Sequence, residues 1–136
     1  MNQEEKQILL KDLSARLPYG VMVNVKGFDF DFNSKLVQIY KGVGCSFEVR
    51  NGMPYDIDEI KPYLFPLSSI SNEIIDEIYS NTGVYDINVD SPVHIEVGTT
   101  FENLTKVFDI LHKHHIDYQN LIQKGLAIDA TGKNIY

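Results

Sequence analysis

The hydrophobic residues change their repeat at Pro18-Tyr19-Gly20, and that change limits the folds open to this chain. Upstream, Leu9, Leu10, Leu13 and Leu17 return every three or four residues, which predicts a helix over residues 2–17 with one apolar stripe. Asp12 and Arg16 stand one turn apart on it, a spacing at which opposite charges meet. Downstream, Val21, Val23 and Val25 alternate with other residues, as in a strand with one buried face. A helix that hands over directly to half-buried strands points to an α+β order.

The strand repeat continues. Phe28-Asp29-Phe30-Asp31-Phe32 alternates, so three rings are expected on the core side and two carboxylates in water. Asn33-Ser34 reads as a turn into a third strand over 35–40. Gly42 and Gly44 break the chain before a fourth over 45–50, and Asn51-Gly52 with Pro54 closes this meander. Residues 56–60 fit a short helical turn and an edge segment equally well. Pro62 and Pro66 bracket Tyr63-Leu64-Phe65, which predicts an extended connector.

Ser71 is the expected N-cap of a helix over 72–80, with Glu73 in its first turn and Ile74, Ile75 and Ile78 on its core face. Gly83 stops it. Residues 84–90 and 93–97 read as a hairpin around Ser91-Pro92. Thr99 and Glu102 have capping-box spacing, and Phe101, Leu104, Phe108, Leu111 and His115 form the stripe of a further helix. A short helix over 117–124 is expected to end at Gly125, followed by a strand or a packing segment at 126–128. The expected fold is therefore α+β: an antiparallel sheet, meander plus hairpin, packed by about three helices in a single compact domain over 1–136.

Charge narrows the partners. The chain carries −7, and unevenly: residues 1–68 hold 8 Lys+Arg against 9 Asp+Glu, whereas residues 69–136 hold 4 against 10. Such a surface repels a phosphate backbone, so no direct nucleic-acid binding is expected, and a basic protein partner fits better. Exposed strand edges leave a homodimer open. No segment has the ~18 consecutive apolar residues of a membrane span, and no basic, apolar leader opens the sequence, so a cytoplasmic location is expected. The lone Cys45 excludes an intramolecular disulfide and reads as a small apolar residue at a strand edge.

The densest chemistry lies in His112-Lys113-His114-His115-Ile116-Asp117-Tyr118. His112 and His115 share a helical face and Asp117 can fold back towards them, which is the start of a metal site. An HxxH pair alone lacks a metalloprotease signature, and neither a metal nor a cofactor is expected. The alternative makes His115 a helix-end histidine whose charged form the dipole favours, and His114 a solvated neighbour. His94 and Glu96 share one strand face and read as exposed. Ser68-Ser69 lacks the glycine frame of a nucleophile elbow, and Gly42-Val43-Gly44 lacks the residues of a phosphate loop. Tyr19, Tyr63 and Tyr118, with Arg16, are placed to line one groove or to act as structural staples. The candidate binding set is therefore Arg16, Tyr19, Tyr63, His114, His115, Asp117 and Tyr118, with no catalytic residue assigned.

Three stretches run in order along the chain: Lys11-Asp12-Leu13-Ser14-Ala15-Arg16-Leu17-Pro18-Tyr19-Gly20-Val21; Tyr63 to Ser71; and His114 to Ile122 with Gly125-Leu126-Ala127 after it. Together they resemble a family of short uncharacterised proteins abundant in anaerobic gut bacteria, their phages and integrated elements, with the pattern KDLCARLPYGV, YLRPMSSMT and HHFDYRGLI…GLALEA. Ser14 stands for the cysteine, Phe65 for the arginine, and Gln119-Asn120 for the Arg-Gly pair; His112 falls where the pattern has asparagine. The resemblance implies a bacterial or phage context and supplies no mechanism. The leading expectation is a non-enzymatic interaction or accessory protein of mobile elements acting on a basic partner. The alternatives are a small metal-dependent or acid–base hydrolase using His114, His115 and Asp117, and a small-molecule sensor.

Overall fold

The computed structural model describes residues 1–42, 44–84, 86–90 and 94–136, and the side chains of all of these except Asp90 and His94. Its elements are α1 (Gln3–Arg16), β1 (Met22–Val25), β2 (Phe32–Lys41), β3 (Cys45–Val49), β4 (Pro54–Tyr55), β5 (Ile60–Pro66), α2 (Asn72–Thr82), β6 (Ile87–Asp90), β7 (His94–Val97), α3 (Phe101–Lys113), β8 (Ile116–Asp117) and β9 (Ile128–Asp129). Helix α1 starts on a capping box: Asn2 Oδ1 accepts from the Glu5 amide, and the Glu5 carboxylate accepts from the Asn2 amide. Leu17–Tyr19 tightens into a 3₁₀ turn, and Gly20, at φ +70°, releases the chain into β1. Leu9 and Leu13 then close over Val21, Val23, Val25, Leu36, Phe47, Val49 and Ile60, all buried.

The main sheet runs β4-β3-β2-β1-β5, antiparallel throughout, and β8 and β9 add to the far edge of β5 in parallel. The prolines predict an extended connector at 62–66, whereas β5 is paired on both edges, and Tyr63 and Leu64 are core residues. Two prolines fit there for a geometric reason. Lys26 N donates to Glu59 O, so by antiparallel alternation Val23 and Pro62 face each other at a position that makes no ladder bond. A second correction concerns 28–34. Phe28 and Phe30 are exposed at 104% and 71%, in a loop before β2, and Asn33 and Ser34 belong to the strand itself. Gly27 permits this, because the Phe30 carbonyl oxygen lies where a Cβ would stand, so the loop can fold tightly back on the glycine.

Residues 56–60 hold a 3₁₀ turn, Ile57–Glu59, with a capping box between Asp56 and Glu59. Helix α2 is capped by Ser71, whose hydroxyl accepts from Ile74 N, and ends on Gly83 at φ +73°, as the sequence predicts. β6 and β7 form the expected antiparallel hairpin, while its turn around Ser91-Pro92 lies outside the described residues, as does the side chain of His94. Helix α3 begins at Phe101 with Thr100, not Thr99, at the cap, and Thr100 makes no side-chain cap bond. Its buried face is Val107, Ile110, Leu111 and His112; the expected stripe is rotated, leaving Phe101 in solvent at 84% exposure. This face packs on Ile74 and Ile78 of α2 to make a second core cluster with Leu67 and Ile116.

The predicted helix over 117–124 is absent. Asp117 continues β8, and its carboxylate accepts from the amides of Gln119, Leu121 and Ile122 at 3.2, 3.0 and 2.9 Å. Those amides are thereby held in a side-chain-capped turn, an arrangement that competes with helix. Gly125 is left-handed at φ +73°, and Leu121, Leu126 and Ala127 bury against Leu64. Among the described residues no helix is long and apolar enough to cross a membrane.

Candidate functional site

The last turn of α1, the end of α3 and the β8 segment converge on Arg16. This side chain is fully buried: Nε donates to Asp12 Oδ2 at 2.8 Å and Nη2 donates to the Ile116 carbonyl at 2.7 Å. Asp12 is as deeply buried, and its other oxygen accepts from Gln119 Nε2 at 3.1 Å. The i,i+4 pair legible in the sequence is thus an internal one, tying α1 to a strand a hundred residues further on. The guanidinium lies 5.7 Å from the centroid of the Tyr118 ring, within cation–π range.

Two histidines border this charge. The Tyr118 hydroxyl and His112 Nε2 lie 2.6 Å apart. Burial first, and then the Arg16 guanidinium, hold the His112 imidazole below its ordinary value, and burial pushes the Tyr118 hydroxyl up to about 12. His115 has left the helix: its backbone is left-handed at φ +59°, a conformation that costs a non-glycine residue of order 1–3 kcal/mol. The expectation of a dipole-favoured charged His115 is overturned, because burial and Arg16 drive its imidazole down to about 4. The ring instead stacks on Tyr136, with centroids 3.7 Å apart and 13° between planes. Arg16 Nη1 and His115 Nδ1 are buried without a hydrogen-bond partner among the described residues.

Tyr136 carries the network into the sheet. Its hydroxyl donates to the Tyr63 carbonyl at 2.7 Å and accepts from Met22 N at 3.1 Å. Met22 and Tyr63 stand opposite each other by the β1–β5 register, so the phenol is spliced into the ladder. Burial raises that hydroxyl to about 12.

Of the seven candidate residues, Arg16, His115 and Tyr118 come together. The other four are engaged as follows. Tyr63 is buried in β5 and its hydroxyl donates to Asn33 Oδ1 at 2.7 Å, acting as a staple across the sheet. Tyr19 is half-buried in the 3₁₀ turn that follows α1. His114, expected in solvent, is half-buried and pairs with Glu77 of α2, which Lys113 also meets; together they hold the Glu77 carboxyl below its usual range. Asp117 is engaged by three backbone amides. His114, His115 and Asp117 therefore do not converge, and among the described residues no group of three or more His, Cys, Asp or Glu side chains is placed to hold a metal ion. Sequence reading missed Gln119 and Tyr136, whose roles depend on contacts across the whole chain.

The arrangement around Arg16 is a closed, inward-facing brace. The chain matches no known protein family, curated protein or solved structure.

What faces outward is different in kind. At the tip between β1 and β2, Phe28 and Phe30 stand exposed, interleaved with exposed Asp29 and Asp31. Phe30 meets Phe32 edge-on at 6.4 Å, and Phe32 meets Tyr55 edge-on at 6.1 Å, so Phe30 rests on a row that leads into the core while Phe28 projects freely into solvent. Asp56, Asp58 and Glu59, all exposed, lie on the adjoining 3₁₀ turn, which the Lys26 N to Glu59 O bond fastens to the loop. No pattern distinguishes such a loop from a strand except Gly27, which marks the tight return.

Proposed function

We propose that this chain is a non-enzymatic interaction protein that docks through the Phe28–Asp31 loop onto a protein partner offering an apolar pocket with a basic rim. The observation that carries this reading is the pair of exposed rings set between carboxylates. Aromatic anchors dominate the energetics of protein interfaces, and fully burying a ring of this size contributes roughly 1.5–3 kcal/mol. Flanking carboxylates select a basic rim and speed the encounter with it. The hydrolase alternative has less support, because Asp117 is held by amides and His114 by Glu77. Resemblance to short proteins of gut bacteria and their phages is in keeping with an accessory role on a basic partner.

The test compares wild type with Phe28→Ser/Phe30→Ser, both verified as folded by thermal melts, in capture from a lysate of an anaerobic gut bacterium. A basic protein retained by wild type, released as salt is raised and lost with the double variant is the expected result. Equal capture by both forms would refute the loop as the docking element.

A further inference from the structure

On the same molecule, α1 and the far ends of β2 and β3 enclose a groove of about 530 Å³. Leu10, Leu17, Ile39 and Cys45 supply its apolar wall, and the exposed Lys11 and Lys41 stand along it. Apolar surface with basic side chains at the edge is the complement of the Phe28–Asp31 loop, which presents rings between acids. The groove is within the size range of sites that accept ligand-sized groups.

The loop cannot fill its own groove. It precedes Phe32 at one end of β2, whereas Ile39 and Lys41 are at the other, roughly 23–30 Å away at ~3.3 Å per residue. We propose that the groove receives the Phe28–Asp31 loop of a second copy of this chain. Because loop and groove occupy opposite ends of one strand, a copy turned end for end makes the contact twice, giving a closed two-fold pair. Asp29 and Asp31 of each copy then face Lys11 and Lys41 of the other.

The size of the contact sets its strength. Four rings bury roughly 150–250 Å² each, and with the two groove walls that cover them the total reaches only about the ~1,200 Å² lower bound of a stable interface, so the pair is weak and concentration-dependent. Its partner is readily exchanged for a tighter one, which is how self-docking and capture of another protein coexist on one loop. This inference rests on the reading of the loop as a docking element.

Analytical ultracentrifugation over a concentration series tests it. Wild type is expected to rise from 15.5 kDa towards twice that mass. Phe28→Ser/Phe30→Ser, Lys11→Glu/Lys41→Glu and Asp29→Lys/Asp31→Lys should each stay monomeric. An equimolar mixture of the two charge-reversed variants should associate again, because both contacts in the mixed pair regain opposite charges. An independent geometric readout uses the native Cys45: with an added oxidant such as oxidised glutathione to accept the two electrons, Phe30→Cys should form an intermolecular disulfide to it, seen by peptide mapping. Monomeric wild type at every concentration, or a mixture that fails to associate with no crosslink to Cys45, would overturn the self-docking. If wild type is monomeric while the loop variant still loses a captured basic partner, self-docking falls and the proposed function stands.

Discussion

Removing the Asp12 carboxylate should do more damage than removing the Asp12–Arg16 pair altogether. Both side chains are fully buried, and among the described residues Asp12 is the one acidic group bonded to the guanidinium. Asp12→Ala leaves a charge in the interior with the Ile116 carbonyl as its remaining hydrogen-bond acceptor, and stranding a buried ion costs about 3–5 kcal/mol. At about 3–5 °C per kcal/mol for a chain of this size, the melting temperature should drop by roughly 10–20 °C. Asp12→Leu/Arg16→Met removes both charges and fills the volume, a change that is commonly neutral or stabilising by about 1–4 kcal/mol. Here it also leaves the Ile116 carbonyl without its donor, worth roughly 1–3 kcal/mol, while the half-buried Gln119 amide exchanges its lost acceptor for water, so the double variant should lie within about 2 kcal/mol of wild type. The chain has no tryptophan, so urea unfolding is followed by far-ultraviolet circular dichroism and tyrosine emission. A single variant as stable as the double one would refute the argument, because it would mean that the guanidinium reaches water once its partner is gone.

Acid should weaken the fold through His115: the folded state holds its imidazole at about 4 against an ordinary ~6.5, so the unfolded chain binds the extra proton first. That stabilisation is complete above about pH 6.5 and is lost as the pH falls towards 4, up to about 3 kcal/mol, and His115→Asn, which tolerates the left-handed backbone, should flatten this part of a urea-midpoint profile. Tyr136→Phe should cost roughly 1–3 kcal/mol and speed exchange of the Met22 amide, since Met22 N and the Tyr63 carbonyl lose the group between them. Asp117→Ala frees the amides of Gln119, Leu121 and Ile122, and hydrogen exchange should rise across 119–127 while α1 and the meander stay protected. Glu77→Gln should loosen α2 against α3, read as earlier exchange in those helices, with an effect near 1 kcal/mol because the pairs are partly exposed.

Local chemistry was readable from the sequence; closure was not. The Ser71 cap, the Gly83 stop and the Val21, Val23, Val25 alternation depend on neighbours a few residues away, and each formed as expected. β5 was hidden because prolines usually mark an edge, and only the register with β1 shows that Pro62 occupies a position without a ladder bond. Leu121 and Ile122 suit a helix as well as they suit the observed turn; the Asp117 carboxylate decided between them by taking three amides. Alternation in Phe28–Phe32 fits a strand and an exposed loop alike, and a glycine just outside the pattern permits the tight return. At the Arg16 centre the Asp12 spacing was visible, yet its burial and the arrival of Ile116 and Tyr136 were not, since no periodicity encodes contacts between such distant segments.

The parallel additions to β5 have a consequence for synthesis on the ribosome. A chain emerging from its amino end has made β1 to β5 well before residues 116–136, which supply β8, β9, the carbonyl that accepts from Arg16 and the Tyr136 phenol. A nascent or truncated chain that stops short of them carries an open strand edge, a template for pairing with neighbouring chains.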